Sequence, residues 1–386
     1  MIAALPSYGE VRSQLSRHRA VRCLPVPDPL SIPDELRLTL RGRQLAEGDV
    51  NHGERFLLHE ALGGRLLVFC ADSELALIHQ SEFLICDGTF EMSPDTSYQL
   101  YTIHGFVRGE SLPLLSALLP NKKTDTYREM FQALRTALTS RYGSHGAVHT
   151  FLTDFELAAI NSIQEIFPET RVKGCSFHFR QALIRRIQLE GLTAAYESAT
   201  EYPTTRAWLR QLMAMTMLPS FAVSIVWTAL RSPPATNSPA LDAKCNAFAS
   251  YFEATWITGD FPPTLWTHFD NDGPRTTNVA EGYHNSLNTS FGVPHPSLRT
   301  FLDWLQRRQF EVQCRGLQLA AGRSPKPRRA EYVRLDEKIM SAKIQYNLNI
   351  GHVFASPAFP HPDMWVLFHV HSSNVLSYVA HLIGLN

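Results

Sequence analysis

Apolar residues in this chain fall into short runs bounded by turn residues and longer stretches at helical spacing, and their order predicts an α/β plan. Arg65–Cys70 reads as a short strand, and Glu82–Cys86 as a buried one that stops at Asp87-Gly88. Tyr98–Val107 and Leu112–Leu119 predict two more strands, antiparallel neighbours across the short Arg108-Gly109-Glu110 turn. Tyr127, Met130, Phe131, Leu134 and Leu138 then recur at helical spacing, with Thr124 or Thr126 as the cap and Glu129 completing a Thr-x-x-Glu box. Val148–Leu152 predicts a strand that delivers Asp154 at its end. A helix over Glu156–Phe167, stopped by Pro168, and a strand or strand-to-helix junction over Arg171–Phe179 follow.

From about 181 to 258 the texture is helical, rich in Leu, Met, Ala and Trp. Trp208, Trp227, Trp256, Met213, Met215 and Met217 are expected to form its core. A loop over Gly259–Gly273 precedes a helix from about Thr276 to Ser290. A longer helix starts at Ser297, with Leu298, Phe301, Leu305 and Val312 on one stripe and Arg307 opposite. The expected organisation is a partly helical, Pro-rich extension over 1–55, a core over 56–180, a helical insertion over 181–260, core helices over 261–322, and a basic segment with an atypical tail over 323–386. The last forty or so residues, studded with Pro and His, match neither a linker nor a domain pattern.

Composition narrows the picture. A chain of 386 residues with 44% hydrophobic content can bury a sizeable core. Lys plus Arg and Asp plus Glu are 36 each, so no global field draws the protein to nucleic acid, and any such binding rests on local patches. Arg307, Arg308, Arg315, Lys326, Arg328 and Arg329 are the candidate phosphate track, against the plainer reading of a solvated charged face. Six cysteines lie far apart without a CxxC framework, which predicts reduced thiols. The N-terminus has no long apolar core behind a positive start, so a secretory signal is not expected, and no apolar run reaches membrane-spanning length.

Three acidic residues carry the chemistry: Asp87 in FLICDGTF, Asp154 in HTFLTDFE and Glu281 in TTNVAEGYHN. Taken singly, each has a plain reading. Asp87-Gly88 is a strong turn dipeptide, Asp154 can cap the next helix, and Glu281 can be a solvated helix residue. Taken together, two strand-end carboxylates and a helix-borne one suit a hard divalent cation, which prefers oxygen ligands. Cys175 and His178 are at most half a zinc site, and a buried thiol with a nearby imidazole is the preferred reading. His284 shares a helix face with Glu281 and either approaches the same site or packs. Arg275 and Asn278 precede Glu281 and either contact a phosphate backbone, if the chain binds nucleic acid, or serve the start of the helix.

The blocks ICDGTF, SYQLYTIHGF, LPLLSALLPNKKTDTYREMFQAL, TDFELAAINSIQEIFPETRVKGCSFHF and RTTNVAEGYHNSLN, in that order, resemble the Mutator-like (MULE) transposase domain over roughly 56–320. The resemblance implies a DDE transposase on an RNase H-like fold, a mixed sheet flanked by helices with an all-helical insertion before the last catalytic helix. Asp87, Asp154 and Glu281 would be its triad and metal ligands, holding Mg²⁺ or Mn²⁺, and Cys175 and His178 its CxxH element. It also implies double-stranded DNA as partner (transposon ends and target), a homodimer, and residence in the nucleus, with no membrane and no small-molecule cofactor. Such proteins usually carry a separate zinc-binding recognition module; residues 1–55 hold only Cys23, so recognition of transposon ends is expected to depend on a partner or to have been lost. Two other readings use the same residues: a domesticated DNA- or protein-binding factor without turnover, and an RNase H-like nuclease unrelated to transposition.

Overall fold

A computed structural model describes residues 32–354 apart from 50, 51, 62 and 64. The basic start of the chain, most of the Pro25–Pro33 stretch and the tail from 355 lie outside the described residues. In chain order the strands and longer helices are β1 (Leu57–Ala61), β2 (Leu66–Phe69), α1 (Asp72–Gln80), β3 (Phe83–Thr89), β4 (Gln99–Val107), β5 (Glu110–Leu119), α2 (Thr124–Tyr142), β6 (Thr150–Thr153) and α3 (Leu157–Ile166). They continue with β7 (Arg171–Gly174), α4 (Ser176–Leu189), α5 (Pro203–Ala214), α6 (Val223–Leu230), α7 (Pro239–Phe252), α8 (Asn278–Phe291), α9 (Leu298–Ala320) and α10 (Ala330–Phe354). This mixed α/β set is consistent with an RNase H-like fold. No helix of the described residues is long and apolar enough to cross a membrane.

The described residues divide into two compact units: 32–148 with 161–168 and 279–324, and 149–160 with 169–278 and 325–354. The first unit carries an antiparallel sheet in the order β1-β2-β5-β4-β3. The β4–β5 hairpin closes on Arg108 and Gly109, at φ 47° and 85°. Two positive φ values in a two-residue turn match the right-handed twist of the flanking strands, and glycine makes the second inexpensive. One face of the sheet meets α8 and α9 in a core of Phe56, Phe69, Leu100, Leu118, Tyr283, Leu287, Phe301 and Leu305. The stripe read on α9 is buried, its Ser297 cap accepts the Thr300 N–H, and Arg307 is exposed.

Three local features depart from the sequence reading. The start of α2 has no threonine capping box: the cap is Lys123, and Asn121 Oδ1 accepts both Lys123 N–H and Thr126 Oγ1–H at 2.9 Å. Thr126 is buried within the first turn, and Glu129 faces His59 at 2.8 Å. The second is α1, absent from the sequence reading, whose cap position is Ala71. The Glu74 carboxylate accepts the Ala71 N–H at 2.7 Å, so the helix starts without a Ser, Thr, Asp or Asn signal. Strand β1 also escaped notice, because only one of its five residues is buried.

The second unit pairs β6 with β7 in parallel, Thr150 opposite Arg171 and Thr153 opposite Gly174. Its helical part buries Trp208, Trp227, Trp256, Met213 and Met215 in one cluster with Phe179, Phe248 and Phe252. Each large aromatic removes about 150–250 Å² from water, worth roughly 4–6 kcal/mol before the entropy of ordering is set against it. Helix α10, in a segment read only as basic, joins this core through Ala342 and Tyr346. Lys343 and Lys173 are buried cations on backbone and carboxylate oxygens; Lys173 Nζ donates to Thr264 O, Thr267 O and Asp270 Oδ1 at 2.9–3.1 Å.

Candidate active site

Asp87 and Gly88 lie inside β3, opposite Thr102 and Tyr101, so this Asp-Gly is not a turn. Glycine is needed for close approach. Tyr127 O–H donates to Gln99 Oε1 at 3.0 Å, and the amide nitrogen of the glutamine lies against Gly88. A Cβ on Gly88 would stand 1.8 Å from Gln99 Nε2.

The neighbouring residue of β3, Asp87, meets α8. His284 Nδ1 stands 3.4 Å from Asp87 Oδ2, and His284 Nε2 stands 3.0 Å from Thr102 Oγ1. The same hydroxyl reaches the Asp87 carbonyl oxygen at 3.3 Å. Asp87 is 6% exposed and His284 8%, so water does little to solvate the carboxylate and the imidazole is its polar neighbour.

His104 lies behind this pair, its ring edge-on to Tyr283 at 5.2 Å. Burial drives its pKa down to about 3, helped by the nearby His284 and Arg308, so the ring is neutral at ordinary pH. Burial raises the Tyr283 phenol well above its usual range. Among the described residues His104 Nε2 has no hydrogen-bond partner. Thr102, His104 and Tyr283 were missed in the sequence. For Thr102 and His104 the signal was modest, polar side chains at alternate positions of the largely buried strand β4.

Glu281 is half-buried in the first turn of α8, three residues before His284, and Asn278 opens that helix. A carboxylate there is favoured by the helix dipole. Asp154 belongs to the second unit, just past β6. Its Oδ1 accepts Glu156 N–H at 3.3 Å and Thr153 Oγ1–H at 3.4 Å, a cap-like arrangement ahead of α3.

The CxxH pair sits where β7 runs into α4. Cys175 is buried, and its Sγ accepts from Thr277 N–H at 3.3 Å and Thr277 Oγ1–H at 3.5 Å. Ser176 N–H donates to Arg275 O at 2.9 Å, so the thiol and its neighbour hold the strap that leads into α8. The His178 ring rests edge-on to Phe177 at 5.6 Å. Arg275 turns its guanidinium to Asp336, which also takes Arg328 at 2.6 Å. Although burial opposes it, these two cations hold Asp336 below the usual carboxylate range.

Most of the basic track is engaged. Arg308 bonds Glu311 at 2.7 Å, Arg315 grips both oxygens of the buried Glu110, and Arg329 stands 3.8 Å from Glu331. Among the described residues Arg307 is exposed and has no carboxylate partner. Lys326 is exposed as well.

Among the described residues no group of three or more His, Cys, Asp or Glu side chains is placed to hold a metal ion. The donors gathered at Asp87 are one carboxylate and one imidazole.

Residues 83–182 match the family model described as MULE transposase domain, which supports a transposase-family function. The match starts at β3 and ends in α4, taking in Asp87, Asp154, Cys175 and His178; α8, with Glu281, lies beyond it. No curated protein matches the chain.

Proposed function

We propose that this chain, with its match to the MULE transposase domain as premise, is the catalytic part of a DDE-type transposase that cuts and joins DNA strands. Its acidic residues in this reading are Asp87, Asp154 and Glu281. The observation that carries it is the match itself, whose span includes two of the three acids, one inside β3 and one at the end of β6. Catalysis of phosphoryl transfer is mostly positioning and charge stabilisation, so groups held on strands and a helix suit it. Thr102 and His284 fix Asp87 in place. The reading makes the activity dependent on Mg²⁺ or Mn²⁺, with double-stranded DNA as substrate. Joining two DNA ends calls for two copies of the chain, and a eukaryotic host would place the work in the nucleus.

A plasmid-nicking assay tests it, run with Mg²⁺, with Mn²⁺ and with chelator. Wild-type protein is expected to nick DNA only with metal. Asp87→Asn, Asp154→Asn and Glu281→Gln are each expected to abolish nicking while keeping a wild-type thermal melt. Nicking that survives all three substitutions, or no nicking by wild type with either metal, overturns the reading.

A further inference from the structure

We propose that Phe90 and Tyr98 form a stacking platform for an unpaired nucleobase of the DNA being processed. This rests on the reading above and adds a subsite to it. Phe90 directly follows β3, three residues after Asp87, and Tyr98 directly precedes β4. Their rings meet edge-on with centroids 5.3 Å apart. Phe90 is 41% exposed and Tyr98 55%, so core packing does not account for them. Lys122 Nζ lies 4.7 Å from the Phe90 ring centroid, with Lys123 next in sequence.

The loop that presents these rings is tied down. Ser93 N–H donates to Phe90 O at 3.1 Å, Ser93 Oγ–H to Ser97 O at 3.1 Å, and Met92 is buried between them in sequence. From the segment after α8, His295 N–H donates to Glu91 O at 3.0 Å, and His295 Nδ1–H to Ser93 O at 3.1 Å. Tyr98 N–H donates to Leu119 O at 2.9 Å, extending the β4–β5 ladder. Two exposed aromatic rings are therefore held on a fixed frame, which lowers the entropy cost of taking up a ligand.

Chemistry selects the occupant. Glu91 and Asp95 are exposed in the same loop and offset Lys122 and Lys123, so net charge does not make this a phosphate trap. What remains is π-face and cation, which every nucleobase can use, and which a base inside a duplex cannot because both its faces are covered. Tyr98 precedes Thr102, the cross-strand partner of Asp87, by four residues, about 13 Å of extended chain. A short unpaired stretch of DNA spans that interval.

The experiment uses the full chain and two labelled duplexes, one blunt and one with a short single-stranded overhang carrying 2-aminopurine. Binding is followed by anisotropy and stacking by quenching of the 2-aminopurine. Wild type is expected to prefer the overhang and quench the probe. Phe90→Ala/Tyr98→Ala is expected to bind the overhang about tenfold more weakly, lose the quench, and keep blunt-duplex affinity and thermal melt. Tyr98→Phe is expected to behave as wild type. Unchanged overhang affinity and quenching in the double variant overturn the platform while leaving the DNA-processing reading intact. A wild type that binds neither duplex overturns both. A wild-type dimer that the double variant turns into a monomer, with no loss of quenching, makes the patch an interface between copies and overturns the proposal.

Discussion

His284 Nδ1 faces Asp87 Oδ2 at 3.4 Å, and both side chains are almost closed off from water. A buried carboxylate without a partner is costly, so the imidazole stabilises the strand that carries the acid. His284→Leu is expected to destabilise the protein by about 1–3 kcal/mol, read as a lowered urea midpoint, because it strands the carboxylate and takes a partner from the Thr102 hydroxyl. Asp87→Asn in the same background should recover part of that loss, since a neutral amide tolerates burial better. An unchanged midpoint for His284→Leu would show that the pair contributes nothing to holding Asp87.

Gly88 should resist substitution for a reason unrelated to turn geometry. An alanine Cβ would collide with Gln99 Nε2, and the glutamine would have to abandon Tyr127. Gly88→Ala is expected to cost about 1–3 kcal/mol, and Gly88→Ala/Gln99→Ala less than Gly88→Ala alone. Thermal melts of the two variants decide this.

Arg315 and Arg307 lie on the same helix but should respond to different assays. Arg315 grips Glu110, whose side chain is 8% exposed, so Arg315→Ala takes the guanidinium from a buried carboxylate and is expected to cost about 2–4 kcal/mol of stability. Arg307→Ala should leave stability within about 0.5 kcal/mol. If Arg307 contacts phosphate, its loss should flatten the dependence of log affinity on log salt by about one. A stable Arg315→Ala protein with a flattened salt slope would reverse the assignment.

Acid should act on the second unit through His268. Its Nε2–H donates to Gly174 O at 2.9 Å and its Nδ1 accepts from Asn271 Nδ2–H at 3.1 Å, an arrangement only the neutral ring satisfies. Burial lowers its pKa to about 3; Lys173 and Arg275 push the same way, and the Gly174 bond and Asp270 oppose them. The native state then binds fewer protons than the unfolded state between pH 6.5 and about 3. Stability from this group is complete above pH 6.5 and falls with pH through that window, by about 1.4 kcal/mol per pH unit. Urea midpoints measured across the window should fall less steeply for His268→Gln than for wild type.

The sequence by itself determined the α/β order of elements, the tryptophan-lined helical core and the three acids in their local settings. Those rest on periodicities of two and 3.6 and on turn residues, which act between near neighbours and need no fold to be read. It also carried the resemblance through ICDGTF and GCSFHF. Other relationships join residues far apart in sequence, and only tertiary structure decided them. Asp87 meets His284 across 197 positions, Gly88 is required by a glutamine on the next strand, and Cys175 receives its hydrogen bonds from Thr277. The basic track shows the same division: composition marks Arg307 and Arg315 as equals, while the fold supplies Glu110 to Arg315 alone. Local pattern sets which elements form, but a side chain's chemistry is set by what the folded chain places within a few ångströms of it.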